Sequence, residues 1–215
     1  MSIIAVIPAL NEEKTIASVI CSLKGIVDKV IVVNDCSSDH TASSSKDNGA
    51  FVIDNNTNLG YSKSLDKGIL AALNDNASVV LTIDADGQHP IDIAKKMISL
   101  INDFGYDVVL GTRDSFPRYS EKLFSVYSKC RYGLPDLLCG MKCYSRHALV
   151  TSGVTSNWNS LGTYITIKSL QKGLKVQSID VNVLDRKDSE SRFGKSLRGE
   201  IPILRALFQL IRGNL

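Results

Sequence analysis

Short, strongly apolar runs rich in β-branched residues recur along the first half of the chain. Runs of this kind, bounded by polar residues and glycines, are typical of buried strands. They predict strands at residues 3–8, 30–33, 50–53 and 78–83, and the start of a fifth strand at residue 107.

Amphipathic helical patterns lie between these runs. Residues 16–23, 65–73 and 93–101 place apolar side chains at the spacing of one helix face, with Asn11 as the predicted N-cap of the first helix. The helix between the second and third strands is the least clear. Alternation of this kind over about 110 residues predicts an α/β fold, in which a mainly parallel sheet is flanked by helices. Ligands of such sheets bind beyond the carboxyl ends of the strands.

The second half of the chain is less regular. Its pattern predicts a helix at 118–132, a loop at 133–140, a strand at 141–144, a helix at 162–172 and a strand at 175–184. A charged stretch at 186–195 precedes an amphipathic segment. Because no repeat or low-complexity linker interrupts the chain, we expect a single domain at 1–195 and a C-terminal tail at 196–215.

Composition and charge narrow the class of protein. The chain has 215 residues, of which 44% are hydrophobic and 22% charged, as is typical of soluble globular proteins. The net charge of +3 is too small to favour nucleic acid as a partner.

Since no run approaches the ~18 apolar residues of a membrane span and no signal peptide is evident, a cytoplasmic location is expected. The five irregularly spaced cysteines favour reduced thiols over a metal site at Cys139, Cys143 and His147.

The sequence Asp84-Ala85-Asp86-Gly87-Gln88 follows the strand predicted at 78–83. Two carboxylates two residues apart can approach one ion, and oxygen ligands suit Mg²⁺ or Mn²⁺, which often bind one or two carboxylates plus substrate phosphates. A polar turn with an N-capping aspartate is the plain alternative. A site with an aspartate nucleophile for phosphoryl transfer is disfavoured, because Gln88 stands where that class has threonine. The pattern favours metal and phosphate binding.

Four further motifs accompany this one in order within residues 3–113. They are I-P-A-L-N-E from Ile7, N-D-C-S-S-D-H-T from Asn34, N-L-G from Asn58 and G-T-R from Gly111. With D-A-D-G-Q-H-P they resemble glycosyltransferase family 2 of the GT-A fold, especially its dolichyl- and polyprenyl-phosphate mannosyl- and glucosyltransferases. Weaker similarity continues to residue 194. The resemblance implies a Rossmann-like α/β sheet and transfer of a sugar from a nucleotide diphosphate sugar.

The resemblance implies that residues 1–113 form a nucleotide-sugar half. The metal, Mg²⁺ or Mn²⁺, would be held by Asp84, Asp86 and Gln88, and Arg186 and Arg192 would clamp the diphosphate from a mobile loop. The residues implied at the nucleotide sugar are Pro8, Leu10, Glu12, Asp35, Gly60, Asp84, Ala85, Asp86 and Arg192.

Two departures from the family pattern bear on the donor. The family usually has two aspartates where this chain has Asn34-Asp35, and Asp35 would accept a hydrogen bond from the base. One carboxylate is therefore missing, which leaves the identity of the base open. Tyr61 also replaces a small residue that often follows the N-x-G motif.

Residues 114–195 would form an acceptor half and lid. The resemblance implies Arg113 at the acceptor or the phosphates, and Asp86, Arg113 and Arg186 are the predicted catalytic residues. Arg118, with Arg131 or Lys142, is a further basic candidate for binding an acceptor phosphate. A hydroxyl acceptor needs a general base, and the acidic pair of hydroxyl-directed members has no counterpart at residues 134–164. A phosphate monoester carries about −1.5 to −2 charges and needs no base. A polyprenyl or dolichyl phosphate acceptor with inversion at the sugar is therefore favoured over a hydroxyl acceptor in glycan synthesis.

Two other classes of protein stay open at this point. A sugar-phosphate nucleotidyltransferase also places carboxylates and Mg²⁺ on an α/β sheet, but its first strand is typically followed by a glycine-rich basic loop, unlike Pro8 to Glu12 here. A non-catalytic nucleotide-sugar-binding module would not need Asp84, Asp86 and Gln88 together.

The C-terminal tail is a possible contact surface. Leu204, Leu207, Phe208 and Ile211 recur at helical spacing, with arginines among them. This pattern fits an interfacial helix lying on anionic lipid at the inner face of a membrane. It fits equally well a helix packed on the core of its own domain or on a partner subunit in a homo-oligomer.

Overall fold

A seven-stranded sheet forms the centre of the molecule in a computed structural model that describes residues 1–154, 159–184 and 197–212. The strand order is β3-β2-β1-β4-β6-β5-β7, and β6 alone runs antiparallel to its two neighbours. The strands are β1 (Ile3–Ala9), β2 (Lys29–Asn34), β3 (Phe51–Asp54), β4 (Val79–Thr82), β5 (Val108–Arg113), β6 (Lys142–Ser145) and β7 (Val176–Val181). The predicted α/β fold with a mainly parallel sheet is confirmed.

Helices cover both faces of the sheet. They are α1 (Ile16–Leu23), α2 (Thr41–Asp47), α3 (Tyr61–Asn74), α4 (Ile91–Asn102), α5 (Tyr119–Tyr132), α6 (Arg146–Ser152), α7 (Leu161–Gln171) and α8 (Leu197–Ile211). The helices predicted from apolar spacing are all present. The prediction missed α6, because seven residues make only two turns and show too little periodicity to be read.

Two hydrophobic clusters lie on opposite faces of the sheet. Alternate residues of β1 separate between them, since Ile4 and Val6 belong to one cluster and Ala5 and Ile7 to the other. The first cluster includes side chains of α3, α5, α6, α7 and α8, and the second includes those of α1 and α4. Burial on both faces explains why the strands read as continuous apolar runs rather than alternating ones.

The start of α1 differs from the prediction. The helix begins at Ile16 with Thr15 at its N-cap position, so Asn11 does not cap it. Asn11 has a positive φ of 48° and lies in the loop after β1, where its Oδ1 accepts the Ser38 backbone N–H at 2.7 Å. The asparagine therefore joins the loops that follow β1 and β2, which is a contact between distant segments that helix periodicity does not reveal.

Helix α3 lies unusually close to the sheet. A Cβ added at Gly68 would come within 3.0 Å of side-chain atoms of Val6 and Val33, so only glycine allows this approach. The contact fixes the helix over β1 and β2. As a result, the N-terminus of α3 is held at the edge where these strands end.

None of the helices in the described part of the chain is long and apolar enough to span a lipid bilayer.

Candidate active site

Most of the predicted site residues in the described part of the chain gather at one edge of the sheet, near the carboxyl ends of the parallel strands. The chain passes from β1 outward to β2 and β3 and then returns to β4 on the other side of β1, so the strand order reverses between β1 and β4. Open α/β sheets bind ligands at such a reversal. Leu10 and Glu12 follow β1 here, and Asp84 to Asp86 follow β4.

Asp84 is held in place on three sides. Tyr61, the first residue of α3, donates its hydroxyl to Asp84 Oδ1 at 2.9 Å, and His89 Nε2 lies 3.0 Å from Oδ2. On the third side is Gly140, where an added Cβ would lie 2.5 Å from Asp84 Cγ. Burial by itself would raise the pKa of Asp84, but the hydrogen bond and charge of His89, then the Tyr61 hydroxyl, lower it. The carboxylate is therefore kept ionised and fixed in orientation.

Asp86 and Gln88 form the following turn. Asp86 Oδ1 accepts the Gln88 backbone N–H at 3.1 Å, and Gly87 between them has a φ of 75°. Gln88 also makes a reciprocal pair with Leu184: its side-chain amide donates to the Leu184 carbonyl at 3.0 Å, and the Leu184 N–H donates back to the Gln88 carbonyl at 2.9 Å. The turn is thus tied to the chain just beyond β7.

The donor set of this turn fits a hard divalent ion. Asp86 is half-buried at the edge of the site, and Asp84 has a partner on each of its carboxylate oxygens. Mg²⁺ commonly takes only one or two protein carboxylates and completes its shell with water and substrate phosphates. Among the described residues no group of three or more His, Cys, Asp or Glu side chains forms a closed metal cage. An open site of one or two oxygen ligands agrees with the chemistry predicted for this motif.

Asp35 at the end of β2 organises the N-x-G loop. Its carboxylate accepts hydrogen bonds from the Leu59 backbone N–H, the Gly60 backbone N–H and the Asn55 side-chain amide, all at 2.8 to 2.9 Å. Burial by itself would raise the pKa of Asp35, but these hydrogen bonds, the Leu59 one foremost, outweigh it and lower the pKa. The loop in turn sets the start of α3, where Tyr61 lies.

Asn34, the departure from two aspartates, has a structural role. The side-chain NH₂ group of Asn34 donates to Asp54 Oδ1 at 2.8 Å, and the side-chain oxygen Oδ1 of Asn34 accepts the Ser37 backbone N–H at 3.2 Å. An aspartate at this buried position would face the carboxylate of Asp54 and lose the donor. The asparagine therefore suits this chain's own β2–β3 contact.

The residues after β1 lie on the same side of the site. Pro8 is buried within β1 opposite Val33, whereas Leu10 and Glu12 are half-exposed beyond the end of the strand. The Glu12 backbone N–H donates to the Thr41 hydroxyl at 2.7 Å, which joins this loop to the start of α2. Leu10 and Glu12 are therefore accessible to a ligand, while the burial of Pro8 does not fit the direct contact predicted for it.

Arg113 and Arg118 come together through shared carboxylates. Arg113, at the end of β5, makes two side-chain hydrogen bonds to Asp136, at 2.7 and 3.2 Å, and lies 3.6 Å from Glu121. Arg118 lies 3.5 Å from the same glutamate oxygen. Burial by itself would lower the pKa of Arg113, but the hydrogen bonds and charge of Asp136 raise it. Two arginines thus stand together near the end of β5, each with a carboxylate partner.

Lys142, the third predicted acceptor ligand, is buried beneath this edge. It is 4% exposed at the start of β6, and its ammonium donates to the Cys139 carbonyl. Burial lowers the pKa of Lys142, although the nearby Cys139, Asp136 and Asp84 oppose that effect. An enclosed ammonium does not fit the direct acceptor contact predicted from the sequence. Lys142 lies between the loops of Asp84 and Asp136, where its positive charge can stabilise both carboxylates.

Arg186 and Arg192, the predicted diphosphate ligands, lie outside the described residues. Four residues at the site were not selected from the sequence: Tyr61, Glu121, His89 and Asp136. His89 lies within the D-A-D-G-Q-H-P motif, five residues after Asp84, so that motif held a signal for it. Asp136 lies four residues before Gly140, in the region of weaker similarity. Tyr61 carries no such signal, because its partner Asp84 is 23 residues away. Glu121 stands three residues after Arg118, at the N3 position of α5, where a capping glutamate is a local signal that was not used.

A mostly parallel sheet with carboxylates at the strand reversal, flanked by arginines, is the architecture of a GT-A glycosyltransferase. The model of the family described as "Glycosyl transferase family 2" matches residues 4–148, and the chain belongs to this family. It is an enzyme, a glycosyltransferase, so the nucleotidyltransferase interpretation is not supported.

Named relatives agree with this assignment. The chain is 29% identical to a dolichyl-phosphate hexose transferase of Haloferax volcanii, covering 82% of this chain and 80% of the relative. It is also 29% identical to the UDP-N-acetylglucosamine–dolichyl-phosphate N-acetylglucosaminyltransferase of Methanococcus voltae, covering 67% and 69%. Glucosyl-3-phosphoglycerate synthase of Mycobacterium tuberculosis, solved with Mn²⁺, UDP-glucose and phosphoglyceric acid, has a similar fold. Its TM-score is 0.76 at 22% identity, with 98% of this chain and 79% of that chain covered.

Proposed function

We propose that the protein transfers a sugar, with inversion, from a nucleotide diphosphate sugar to the phosphate of a polyprenyl or dolichyl phosphate. The observation that carries the proposal is the fixed Asp84 carboxylate beside Asp86 at the β1–β4 strand reversal. The dolichyl-phosphate transferases among the relatives support the acceptor class. Residues 1–113 are proposed as the donor half and 114–195 as the acceptor half of one domain.

The donor is proposed to lie across the ends of β1, β2 and β4. Leu10, Glu12 and the loop organised by Asp35 would contact the nucleoside, with Gly60 and Ala85 offering backbone rather than side-chain atoms. Asp84 would hold the ribose, since its oxygens are already oriented by Tyr61 and His89.

The diphosphate is proposed to sit against Asp86. Asp86, Gln88 and, less directly, Asp84 would hold a Mg²⁺ or Mn²⁺ ion, which supplies neutralisation of the departing diphosphate. Arg186 and Arg192 are proposed to add bidentate contacts to the phosphate oxygens. The Mn²⁺ present with UDP-glucose in the synthase of similar fold supports the choice of a divalent ion.

The acceptor phosphate is proposed to bind at Arg113 and Arg118. Asp136 and Glu121 fix the guanidinium groups in place, so that both groups are oriented before the acceptor arrives. A phosphate dianion attacks without a general base. In the described part of this region Asp136 is 1% exposed and bonded to Arg113, which makes it a poor base for a hydroxyl acceptor.

A hydroxyl acceptor is the second candidate. The synthase of similar fold was solved with phosphoglyceric acid, a molecule that carries both a hydroxyl and a phosphate. The same two arginines would then bind the phosphate while the hydroxyl is glycosylated. The two candidates differ in the atom that attacks the sugar, which makes them separable by product analysis.

The test is a transfer assay after a donor screen. Thermal shift with UDP, GDP, CDP and dTDP, each with and without Mn²⁺, identifies the nucleotide, because ligand binding stabilises the native state by mass action. The matching nucleotide sugar is then offered with a short polyprenyl phosphate, the corresponding alcohol and phosphoglycerate. Glycosylation of the phosphate alone supports the proposal, and glycosylation of the alcohol or of phosphoglycerate alone contradicts it.

Asp86→Ala tests the metal assignment separately. This variant should lose the extra thermal shift that Mn²⁺ adds to the nucleotide while keeping the melting temperature of the free protein. A Mn²⁺ effect equal to that of the unchanged protein would remove Asp86 from the metal site.

The protein is further proposed to meet its acceptor as a peripheral protein on the cytoplasmic side of a membrane. A lipid phosphate presents its charged group at the level of the headgroups, so the enzyme has to approach that level. A homo-oligomer formed through the C-terminal helix is the alternative use of the same segment.

A further inference from the structure

Helices α5 and α8 expose two apolar stripes. On α5 the spacing i, i+4, i+7 places Tyr119, Leu123 and Val126 on one face, and on α8 the same kind of spacing places Ile201, Leu204, Phe208 and Ile211 on another. Each of these seven side chains is between 44% and 86% exposed. We call the seven residues together the α5–α8 surface.

The two stripes lie side by side on the outside of the molecule. The inward residues of both helices belong to one hydrophobic cluster, which contains Phe124 of α5 and Leu207 and Leu210 of α8. The helices are also joined directly, since the Ser120 backbone N–H donates to Glu200 at 2.9 Å. Both helices pack inward on the same cluster and contact each other, so their exposed stripes lie on the outer sides of neighbouring helices.

Four exposed basic side chains lie along this surface in the part of the chain that is described. Lys122 and Lys129 flank the stripe on α5, and Arg205 and Arg212 lie on the exposed side of α8. The Arg212 guanidinium lies 4.1 Å from the centre of the Phe208 ring, and the Lys122 ammonium 5.7 Å from that of Tyr119.

The two glutamates described on these helices are engaged by neighbouring groups. Glu121 is 7% exposed beside Arg113 and Arg118, and Glu200 accepts the Ser120 hydrogen bond. The α5–α8 surface is therefore apolar and cationic.

An anionic bilayer fits this combination better than a second copy of the chain. Apolar side chains on a helix lying in the interface enter the headgroup and acyl boundary, while lysines and arginines meet anionic headgroups. A symmetric contact between two copies would instead place the same four cations against one another, with like-charge repulsion.

The α5–α8 surface also borders the proposed acceptor site. Helix α5 starts directly after Arg118, and a shallow groove of about 540 Å³ is lined by Asn159 and by α8 residues including Leu204 and Phe208. Asn159 accepts the Ser62 hydroxyl through its carbonyl at 2.9 Å, which connects the groove to the residue next to Tyr61. A polyprenyl chain that lies on the α5–α8 surface would therefore have its phosphate end near Arg113 and Arg118.

We propose that the α5–α8 surface docks on an anionic lipid bilayer and presents the arginine edge to phosphates at headgroup level. This inference rests on the proposed function for its purpose, but docking itself can be measured without any substrate. It assigns α5 as well as the C-terminal helix to the contact.

The test is co-sedimentation of the full chain with vesicles of phosphatidylcholine alone and with about 30 mol% phosphatidylglycerol added. Binding is expected only to the anionic vesicles and should weaken as salt is raised. The double variant Leu123→Ser/Phe208→Ser should lose most of the binding, and Arg205→Gln should weaken it about fivefold, as expected for one surface cation.

Phe104→Ser is the matched control. Phe104 is 66% exposed and follows α4, which packs on the opposite face of the sheet, so its loss should leave vesicle binding unchanged. The far-ultraviolet circular dichroism spectrum and the melting temperature of the free protein should be close to those of the unchanged protein in all variants, which shows that they fold.

Three results would overturn the inference. They are equal binding to neutral and anionic vesicles, equal losses in Phe104→Ser and the double variant, and a dimer in size-exclusion chromatography that the double variant abolishes while vesicle binding is unchanged. Vesicle binding with no transfer to any acceptor phosphate would support the docking and overturn the proposed function.

Discussion

Replacing Gly140 by alanine should weaken nucleotide binding by about 10- to 100-fold while the fold stays intact. An alanine Cβ would lie 2.5 Å from Asp84 Cγ, whereas ordinary contact begins near 3.4 Å, so the carboxylate has to retreat by about 1 Å. The hydrogen bonds from Tyr61 and His89, at 2.9 and 3.0 Å, cannot both follow that movement. One hydrogen bond to a charged group contributes about 1.5–3 kcal/mol, which corresponds to the stated range in Kd.

The assay is isothermal titration of the preferred nucleotide with Mn²⁺, together with urea unfolding of each protein. Gly68→Ala is the matched control, because its Cβ would also clash, but with Val6 and Val33 under α3 and about two turns from Tyr61. Overpacking should cost Gly68→Ala about 1–3 kcal/mol of stability and leave nucleotide affinity unchanged.

Two results would refute the reasoning. One is a Gly140→Ala protein that binds the nucleotide as tightly as the unchanged protein. The other is a loss of affinity in Gly68→Ala as large as that in Gly140→Ala. Either result would show that the affinity for the nucleotide does not depend on the orientation of the Asp84 carboxylate.

Three further predictions concern stability and reactivity. Asp136→Ala should lower the free energy of unfolding by about 3 kcal/mol in urea, because it leaves the mostly buried guanidinium of Arg113 without its main partner. Asp35→Asn should destabilise the protein at neutral pH, and the gap to the unchanged protein should shrink below pH ~4. The pKa of Asp35 is lower in the folded protein than in the unfolded chain. The ionised carboxylate therefore adds to the free energy of unfolding at pH values above the pKa of the unfolded chain, and this stabilisation is lost as the pH falls through the pKa of the folded protein. A thiol reagent should quickly modify the three exposed cysteines, Cys21, Cys36 and Cys130. The buried Cys139 and Cys143 should react only when the protein unfolds, because burial raises the pKa of Cys139 to about 11 and raises the pKa of Cys143 further.

Each of these has a clear contrary outcome. A loss below about 1 kcal/mol in Asp136→Ala would mean that Glu121 alone satisfies Arg113. A constant gap between pH 6 and pH 3 would show that the Asp35 carboxylate is not stabilised in its ionised form. Fast modification of four or five thiols in the folded protein would contradict the burial of the cysteine pair.

Local patterns in the sequence predicted much of the fold and part of the site. Apolar periodicity predicted every strand, and the positions of motifs at strand ends placed Asp84, Asp35 and Arg113 at one edge. The roles of Pro8 and Lys142 could not be predicted, because their burial depends on neighbours across the sheet. Tyr61 was noticed only as a departure from the family pattern, since its bond to Asp84 joins residues 23 positions apart. Contacts of this kind are set by packing rather than by spacing.

The antiparallel strand β6 has a consequence for how the enzyme folds and how it can be recombined. It lies between β4 and β5, so a chain cut after residue 113 would leave both of these strands with open edges. The proposed donor and acceptor halves therefore share one sheet and are not separable folding units. A chimera that exchanges acceptor specificity should keep β6 with the first 113 residues and graft only the loops and helices around it.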